Sequence, residues 1–404
     1  MDAGGERINI YDDILEELRL REVMDRETIA PYYIISYACH SFNLTNFKTG
    51  ALYMGGRLPN LRFHVINLAP AGYGKSYMLE QMGGGEYGIF NKTKYRMMYE
   101  QTITESGFVG TIRVNPATGL NEAINGAAQE NSEGFMLFDE FSALEDAMRQ
   151  SYNASLDTQL LAALDSGRMV KRLSGGPLRY ETNFTLWGGV QPVRCDLSRG
   201  LGRRLCILLN LPSDSKRQAY RNGVFKSLNI APDVERLENL RRKIDFWTDS
   251  FALVRNITFD KSVPEFYDYI DAESFYCQFY NRMIIGYHLA KHGPEKELEV
   301  SLEDNELIKL IEQQHQWRLK VISGPDIEQM INLIKNSGIE VDNEIVIPKR
   351  LLIQKGAKFQ LGAKQVSDKL REMQYMGYVK NRGDRVHLLP EGVSDYAQHT
   401  SSSE

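Results

Sequence analysis

The chain has 404 residues, enough for two or three domains with a sizeable core, and a formal net charge of −5,. That balance excludes a molecule coated in basic charge for nucleic acid, and leaves only a local basic patch open. No apolar run approaches the roughly twenty residues of a membrane span, and the first residues, Met1-Asp-Ala-Gly-Gly-Glu-Arg7, lack the apolar stretch of a secretory signal,. The four cysteines, Cys39, Cys195, Cys206 and Cys277, are scattered without ligand-like spacing. Reduced thiols in a cytoplasmic protein are the simplest account of them.

In chain order, residues 1 to about 55 read as short helices, with Tyr11-Asp-Asp-Ile-Leu-Glu-Glu-Leu-Arg-Leu20 showing helical spacing,. From about 56 to 212 strand-like and helical segments alternate, which predicts an α/β core with a parallel sheet,. Residues 213–322 read mostly helical, for example Leu307 to Leu319. Gly324-Pro325 marks a boundary. A compact terminal module over 325–392 follows, and residues 393–404 read as a disordered tail,.

The core opens with Arg62-Phe-His-Val-Ile-Asn-Leu68, mostly apolar as a buried parallel strand should be,. The chain then turns through Ala69-Pro-Ala-Gly-Tyr-Gly-Lys-Ser76 into a helix near Lys75. This is a phosphate-binding loop in its chemistry. Glycine lets the amides from Ala71 through Gly72, Tyr73 and Gly74 to Lys75, Ser76 and Tyr77 curl around an anion at a helix start. Lys75 would reach the β- and γ-phosphates of ATP, and the Ser76 hydroxyl would ligate Mg²⁺. Ala69 stands where the G-x-x-x-x-G-K-[ST] pattern has its first glycine. About sixty residues on, Phe135-Met-Leu-Phe138 ends in Asp139 and Glu140. Acids at the carboxyl edge of a parallel sheet sit where ligands bind. Asp139 would hold magnesium, and Glu140 would polarise the attacking water.

Two hairpin-like segments follow from turn chemistry. Asn115-Pro-Ala-Thr-Gly119 lies inside Phe108 to Leu120, with Arg113 nearby,. Gly167 to Glu181 carries a Gly-Gly-Pro turn, with Lys171 and Arg172 near the tip. A strand ending in Gln191 comes next, and Arg203-Arg204 precede the apolar run Leu205 to Leu211.

This order of parts resembles the AAA+ ATPases, and within them the minichromosome maintenance (MCM) helicase branch. The resemblance rests on Ile29-Ala-Pro-Tyr-Tyr-Ile34, Gly72-Tyr-Gly-Lys-Ser76, Asp139-Glu-Phe141, Lys171-Arg172, Gln191-Pro192 and Arg203-Arg204-Leu205, in sequence. It covers about residues 28–212, with a weaker helical match to about 320. It implies a helical lid over 213–322, Gln191 as a sensor of the γ-phosphate in place of the family's Asn, and Arg204, with Arg203 second, as an arginine finger. A finger acts on the neighbouring subunit's ATP, so the resemblance implies a homo-oligomeric ring, commonly a hexamer. Arg282 is one candidate for a second sensor. The two hairpins, through Arg113, Lys171 and Arg172, would grip DNA backbone in a central channel. The chain departs from the family in having only about 55 residues before the loop strand and no Cys cluster.

The terminal module suits a winged helix: helix 326–335, strand 344–348, helices 349–354 and 363–376, and a two-stranded wing over 378–389 with Arg382-Gly-Asp at its turn. Between Pro348 and His387 ten Lys and Arg stand against three acids, a balance of +7 in an acidic chain. That asymmetry marks Lys364, Lys369, Arg371 and Arg382 as DNA-contact candidates. Taken together, the sequence leads to an ATP-driven translocase or helicase acting on single-stranded or forked DNA in replication, with possible replication partner proteins. An ATP-switched initiator or loader, a protein remodeller working through its first hairpin, and a non-enzymatic chain with a decayed site remain open.

Overall fold

The computed structural model describes residues 8–101, 103–148, 150, 153, 155–173, 175–191, 200–210, 214–227, 230–270, 272–322, 327–358, 361–375 and 377–390. Cys195, Pro192, Gly324-Pro325 and the proposed tail lie outside them. Two compact units divide the chain: residues 1–190 with 200–314, and residues 191–199 with 315–404.

The first unit begins with α1 (Ile10–Leu20), whose N-cap Asn9 accepts from the Asp12 amide at 3.0 Å,. Where the sequence suggested short helices, α2 (Ala30–Thr49) runs for 20 residues and buries Tyr32, Tyr33, Tyr37 and Phe42 on different faces. A helix apolar all round has no polar stripe to show to water, so it becomes the centre of the unit. Pro31 stands in its first turn, where a missing N–H costs nothing,.

Strand β1 (His64–Leu68) is buried at every position. After the glycine turn, α3 (Lys75–Leu79) passes into a π-helical turn, Glu80–Gly84. Strand β2 (Met97–Tyr99), α4 (Glu105–Val109), a hairpin of β3 (Gly110–Val114) and β4 (Asn121–Asn125), and α5 (Ala127–Glu130) lead to β5 (Phe135–Phe138). Helices α6 (Ser142–Met148) and α7 (Leu156–Asp165) precede a second hairpin, β6 (Arg168–Leu173) with β7 (Gly176–Glu181). Strands β8 (Thr185–Val190) and β9 (Leu205–Leu209) complete the core.

The sheet runs β2-β5-β8-β1-β9, parallel throughout. With helices flanking it, this is a Rossmann-like α/β core. Its strands are near-continuous apolar runs because both faces are covered. Trp187 of β8 anchors one face: Tyr33, Phe90 and Phe135 pack on the indole, and its Nε1 donates to Ser36 Oγ at 2.8 Å. A Cβ at Gly83 would lie 3.0 Å from that ring, so the π-helical turn can approach only because the residue is glycine.

Helices α8 (Asp214–Ser227), α9 (Val234–Ser250), α10 (Ser262–Tyr269), α11 (Ser274–Lys291) and α12 (Asn305–Ile322) follow, with a parallel pair β10 (Asn256–Phe259) and β11 (Glu297–Val300). Gly286 of α11 lets the helix close on α2, since a Cβ there would be 2.6 Å from Cys39 Sγ. Gln314 of α12 covers the outer edge of β9: it accepts from the Ile207 amide at 2.9 Å and donates to its carbonyl at 2.7 Å,. The segment before the loop strand, the sheet and these helices thus form one compact unit up to residue 314.

The second unit contains α13 (Ile327–Ser337), β12 (Ile339–Val341), β13 (Glu344–Pro348), α14 (Lys349–Lys358), α15 (Ala363–Tyr375), β14 (Val379–Arg382) and β15 (Arg385–Leu388). Its antiparallel sheet runs β12-β13-β15-β14. Strand β12 was not expected; Asp342 and Asn343, at φ 50 and 65, make the two-residue turn that joins it to β13,. Met330, Ile334, Leu352, Val366, Leu370, Met373 and Val386 form the core of this unit.

Candidate active site

The phosphate-loop residues stand at the carboxyl end of β1. Ala69 donates its N–H to Val190 O at 3.1 Å, which extends the β1–β8 ladder by one residue. Ala69 is buried in ordinary backbone geometry, so the absent glycine is not demanded by conformation here. The two glycines that remain do carry the turn: Gly72 has φ +82 and Gly74 φ +72. A Cβ at Gly72 would meet nothing, whereas one at Gly74 would lie 2.8 Å from the Tyr220 ring. Helix α3 starts at Lys75, so the amides of Lys75 and Ser76 have no intrahelical acceptor and remain for an anion,.

The acidic pair comes to the same edge. Phe141 donates its N–H to Gly189 O at 2.7 Å and fastens the turn after β5 onto β8. Asp139 is exposed. Glu140 puts Oε2 4.0 Å from Lys75 Nζ and accepts on Oε1 from Ser142 Oγ at 2.8 Å. Lys75 is largely enclosed and runs along β8, where a Cβ at Gly189 would sit 3.3 Å from its Cδ. Gln191 directly follows the last residue of β8. Strand β8 lies between β1 and β5, so the loop after β1 and the acidic pair after β5 stand on one edge, on either side of the end of β8. The sheet's direction of winding changes between β1 and β8, the place where open α/β sheets bind ligands. A lysine, an open glycine turn, a hydroxyl and an exposed carboxylate fit a nucleoside triphosphate with a hard, oxygen-liganded cation.

The arginines stand at the opposite edge, ahead of β9. Arg204 forms an ion pair with Asp165 of α7 and donates to Gly200 O at 2.7 Å. Arg203 is the exposed member, its guanidinium 5.1 Å over the Phe275 ring. Arg282 donates to Arg62 O at 3.1 Å, just before β1. Five strand residues, about 16 Å, separate this edge from the loop, so Arg282, the candidate second sensor, stands away from the loop of its own chain. A cleft of ≈ 1200 Å³ opens here, lined among others by Arg57, Asp165, Arg168 and Arg282.

The two hairpins are joined. Asn121 Nδ2 donates to Gly175 O at 3.2 Å, and a Cβ at Gly175 would lie 2.6 Å from Ile112 Cγ2. Lys171 is not a free tip charge: its Nζ is 2.7 Å from Glu105 Oε1, at the root of the first hairpin. Burial opposes ionisation of Glu105, but the hydrogen bonds from Lys171 and Ser155 outweigh it and hold the carboxyl below its usual range,. Arg113 and Arg172 are exposed. Val114, Leu120, Ile124 and Val170 add exposed apolar surface.

In the second unit Lys364 and Arg371 are exposed one heptad apart on α15,. Local acids offset much of the basic balance. Lys369 pairs with Glu372 at 2.7 Å, Arg371 with Asp368 at 3.4 Å, and Arg382 with Glu344 at 3.5 Å.

Sequence reasoning missed Asp25, Asn210 and Tyr220, which meet behind the loop. Asn210 did carry a signal: like Asp139 and Gln191, it is a polar residue ending an apolar strand. No protein-family model matches the chain, and no curated protein matches it as a relative. No described helix is long and apolar enough to cross a membrane.

Proposed function

We propose that the chain is an ATP-hydrolysing AAA+ protein of MCM-like type that translocates on or unwinds DNA. The observation that carries this reading is the meeting of the glycine loop and Asp139-Glu140 on one edge of an all-parallel sheet, with Lys75 Nζ 4.0 Å from Glu140 Oε2. ATP would lie with its phosphates on the loop amides and Lys75, with Mg²⁺ held by Ser76 and Asp139. Glu140 would take the proton of the attacking water, and Gln191 would hydrogen-bond the terminal phosphate. Arg203 and Arg204 lie too far from their own loop to serve it, which agrees with a bipartite site between subunits of a ring. The order α13, β13, α14, α15, β14, β15 supports a winged helix in the second unit. The test is steady-state ATPase activity with and without single-stranded, forked and duplex DNA. Stimulation of severalfold or more by single-stranded or forked DNA is expected; turnover indifferent to all three would remove the translocase reading.

The joined hairpins supply the DNA grip, chiefly through Arg172 and Arg113. Arg172→Ala should leave ATP binding unchanged and weaken DNA-stimulated hydrolysis. The dependence of log K on log salt for single-stranded DNA should flatten by about 0.7 for each phosphate the protein no longer neutralises. An unchanged slope would take Arg172 out of the interface. Lys171→Ala frees Glu105 as well, so its effect combines lost charge with loosened hairpins.

A protein-remodelling ATPase is the second reading, favoured by the exposed Val114, Leu120 and Ile124 on the first hairpin. It requires no DNA stimulation, and the same assay separates the two. An initiator or loader would instead bind a particular duplex sequence through the second unit.

A further inference from the structure

The loop is braced by side chains from three separate segments. Asn210, just past β9, is buried, and its backbone N–H donates to Leu68 O at 2.9 Å, which pins it beside the end of β1. Its side-chain Nδ2 is 2.8 Å from Tyr73 O, 2.9 Å from Asp25 Oδ2 and 2.9 Å from the Tyr220 hydroxyl. That hydroxyl, from α8, also bonds Asp25 and lies 3.1 Å from Tyr73 O. Lys216, one turn earlier on α8, brings Nζ to 3.2 Å from Asp25 Oδ1 and balances its charge. Asp25 itself stands at φ 56, and its carbonyl accepts from the amides of Thr28 and Ile29. An Asp held in the left-handed region beside a ligand loop is the kind of outlier that accompanies function.

Proton counting fixes the pattern. A phenol has one proton and a primary amide two. Burial and the neighbouring Asp25 carboxylate push the Tyr220 phenol far above its ordinary range, so it keeps its proton and donates it. Given to Asp25, that proton leaves Asn210 as the donor to Tyr73 O.

We propose that Asp25, Asn210 and Tyr220 form a clamp that positions the phosphate loop by fixing the Tyr73–Gly74 peptide. In a trans peptide the carbonyl and the following N–H point in opposite directions. Holding Tyr73 O against Asn210 therefore turns the Gly74 N–H away from the clamp, where an anion in the loop can use it. The Tyr220 ring rests directly on Gly74, so helix α8 and the loop share one geometry. The three are positioning residues, and the inference rests on the reading of this loop as an ATP site.

The full chain is titrated calorimetrically with ATP, ADP and inorganic pyrophosphate, each with Mg²⁺. Asn210→Ala removes the donor to Tyr73 O; Tyr220→Phe keeps the ring on Gly74 and removes only the hydroxyl. Asn210→Ala should raise all three Kd values roughly tenfold, as for one hydrogen bond in a charged site. Tyr220→Phe should raise them about threefold on the same grounds. A merely structural role would lower the Tm without an equal factor on pyrophosphate and ATP. The clamp also predicts that kcat at saturating ATP stays within about twofold. If Asn210→Ala fails to fold, Tyr220→Phe decides. Wild-type Kd values in a folded variant, or a lost kcat at unchanged Kd, overturn the clamp while the ATP reading stands. A wild-type chain that binds none of the three ligands overturns the ATP reading and the clamp together.

Discussion

Glu140→Gln is expected to lower ATP turnover by about 10²- to 10⁴-fold, or about 3–5 kcal/mol in the barrier, with ATP binding kept within a fewfold. Glutamine has nearly the same volume and can still accept from Ser142 Oγ, so the turn after β5 and its bond to Gly189 O should persist. What is lost on the proposed reading is the base that takes a proton from water. The Lys75 ammonium, 4.0 Å from Glu140 Oε2, also loses an acidic neighbour and becomes freer to hold phosphate, so affinity should hold or rise. Lys75→Ala gives the opposite signature, a rise in Kd together with lost turnover. Hydrolysis and fluorescent-nucleotide binding measured on the same preparations separate the two. Glu140→Gln retaining a tenth or more of wild-type turnover would mean that another group activates the water.

The elements legible in the sequence are those whose signal is local. Glu344–Pro348 coincides with its expected strand, and α3 begins at Lys75 as the Gly-Lys-Ser segment suggests. Elements set by distant partners were less legible. The length of α2 was missed because a helix buried on all faces shows no polar period to follow,. Strand β12 has only three residues and exposes Ile339 and Val341, so little but the Asp342-Asn343 turn announces it. The same holds for the site. Lys75, Asp139 and Glu140 stand out by motif because a Gly-Lys-Ser turn after a strand and an acidic pair ending an apolar strand are each local patterns. The tie between Lys171 and Glu105 joins residues 66 positions apart, and the clamp gathers residues 25, 210 and 220; no local pattern encodes either. The basic balance of the terminal segment was overstated for a related reason: its count excluded Glu344, which pairs with Arg382 and His387 across the sheet.

Arg203→Ala is expected to cut kcat by about 10³-fold, the worth of an arginine finger, without weakening ATP binding. Sequence order favoured Arg204, but Arg204 is occupied by Asp165 and Gly200 O, whereas Arg203 is exposed, with its guanidinium over the Phe275 ring. Arg204→Ala should act differently, by releasing Asp165 and the start of β9, and so should lower stability along with activity. Both arginines lie across the sheet from Lys75, so any catalytic role must fall on a second subunit's nucleotide. This makes a mixing experiment decisive. Arg203→Ala subunits keep an intact loop and lack the finger; Glu140→Gln subunits keep the finger and lack the base. Each alone should be nearly inactive. In a ring of equal, randomly placed subunits, about a quarter of interfaces would pair a good site with a good finger, so the mixture should recover about a quarter of wild-type activity. A mixture no more active than its parts would place Arg203 outside catalysis, and Arg204→Ala put through the same mixing would then show whether its neighbour carries the role.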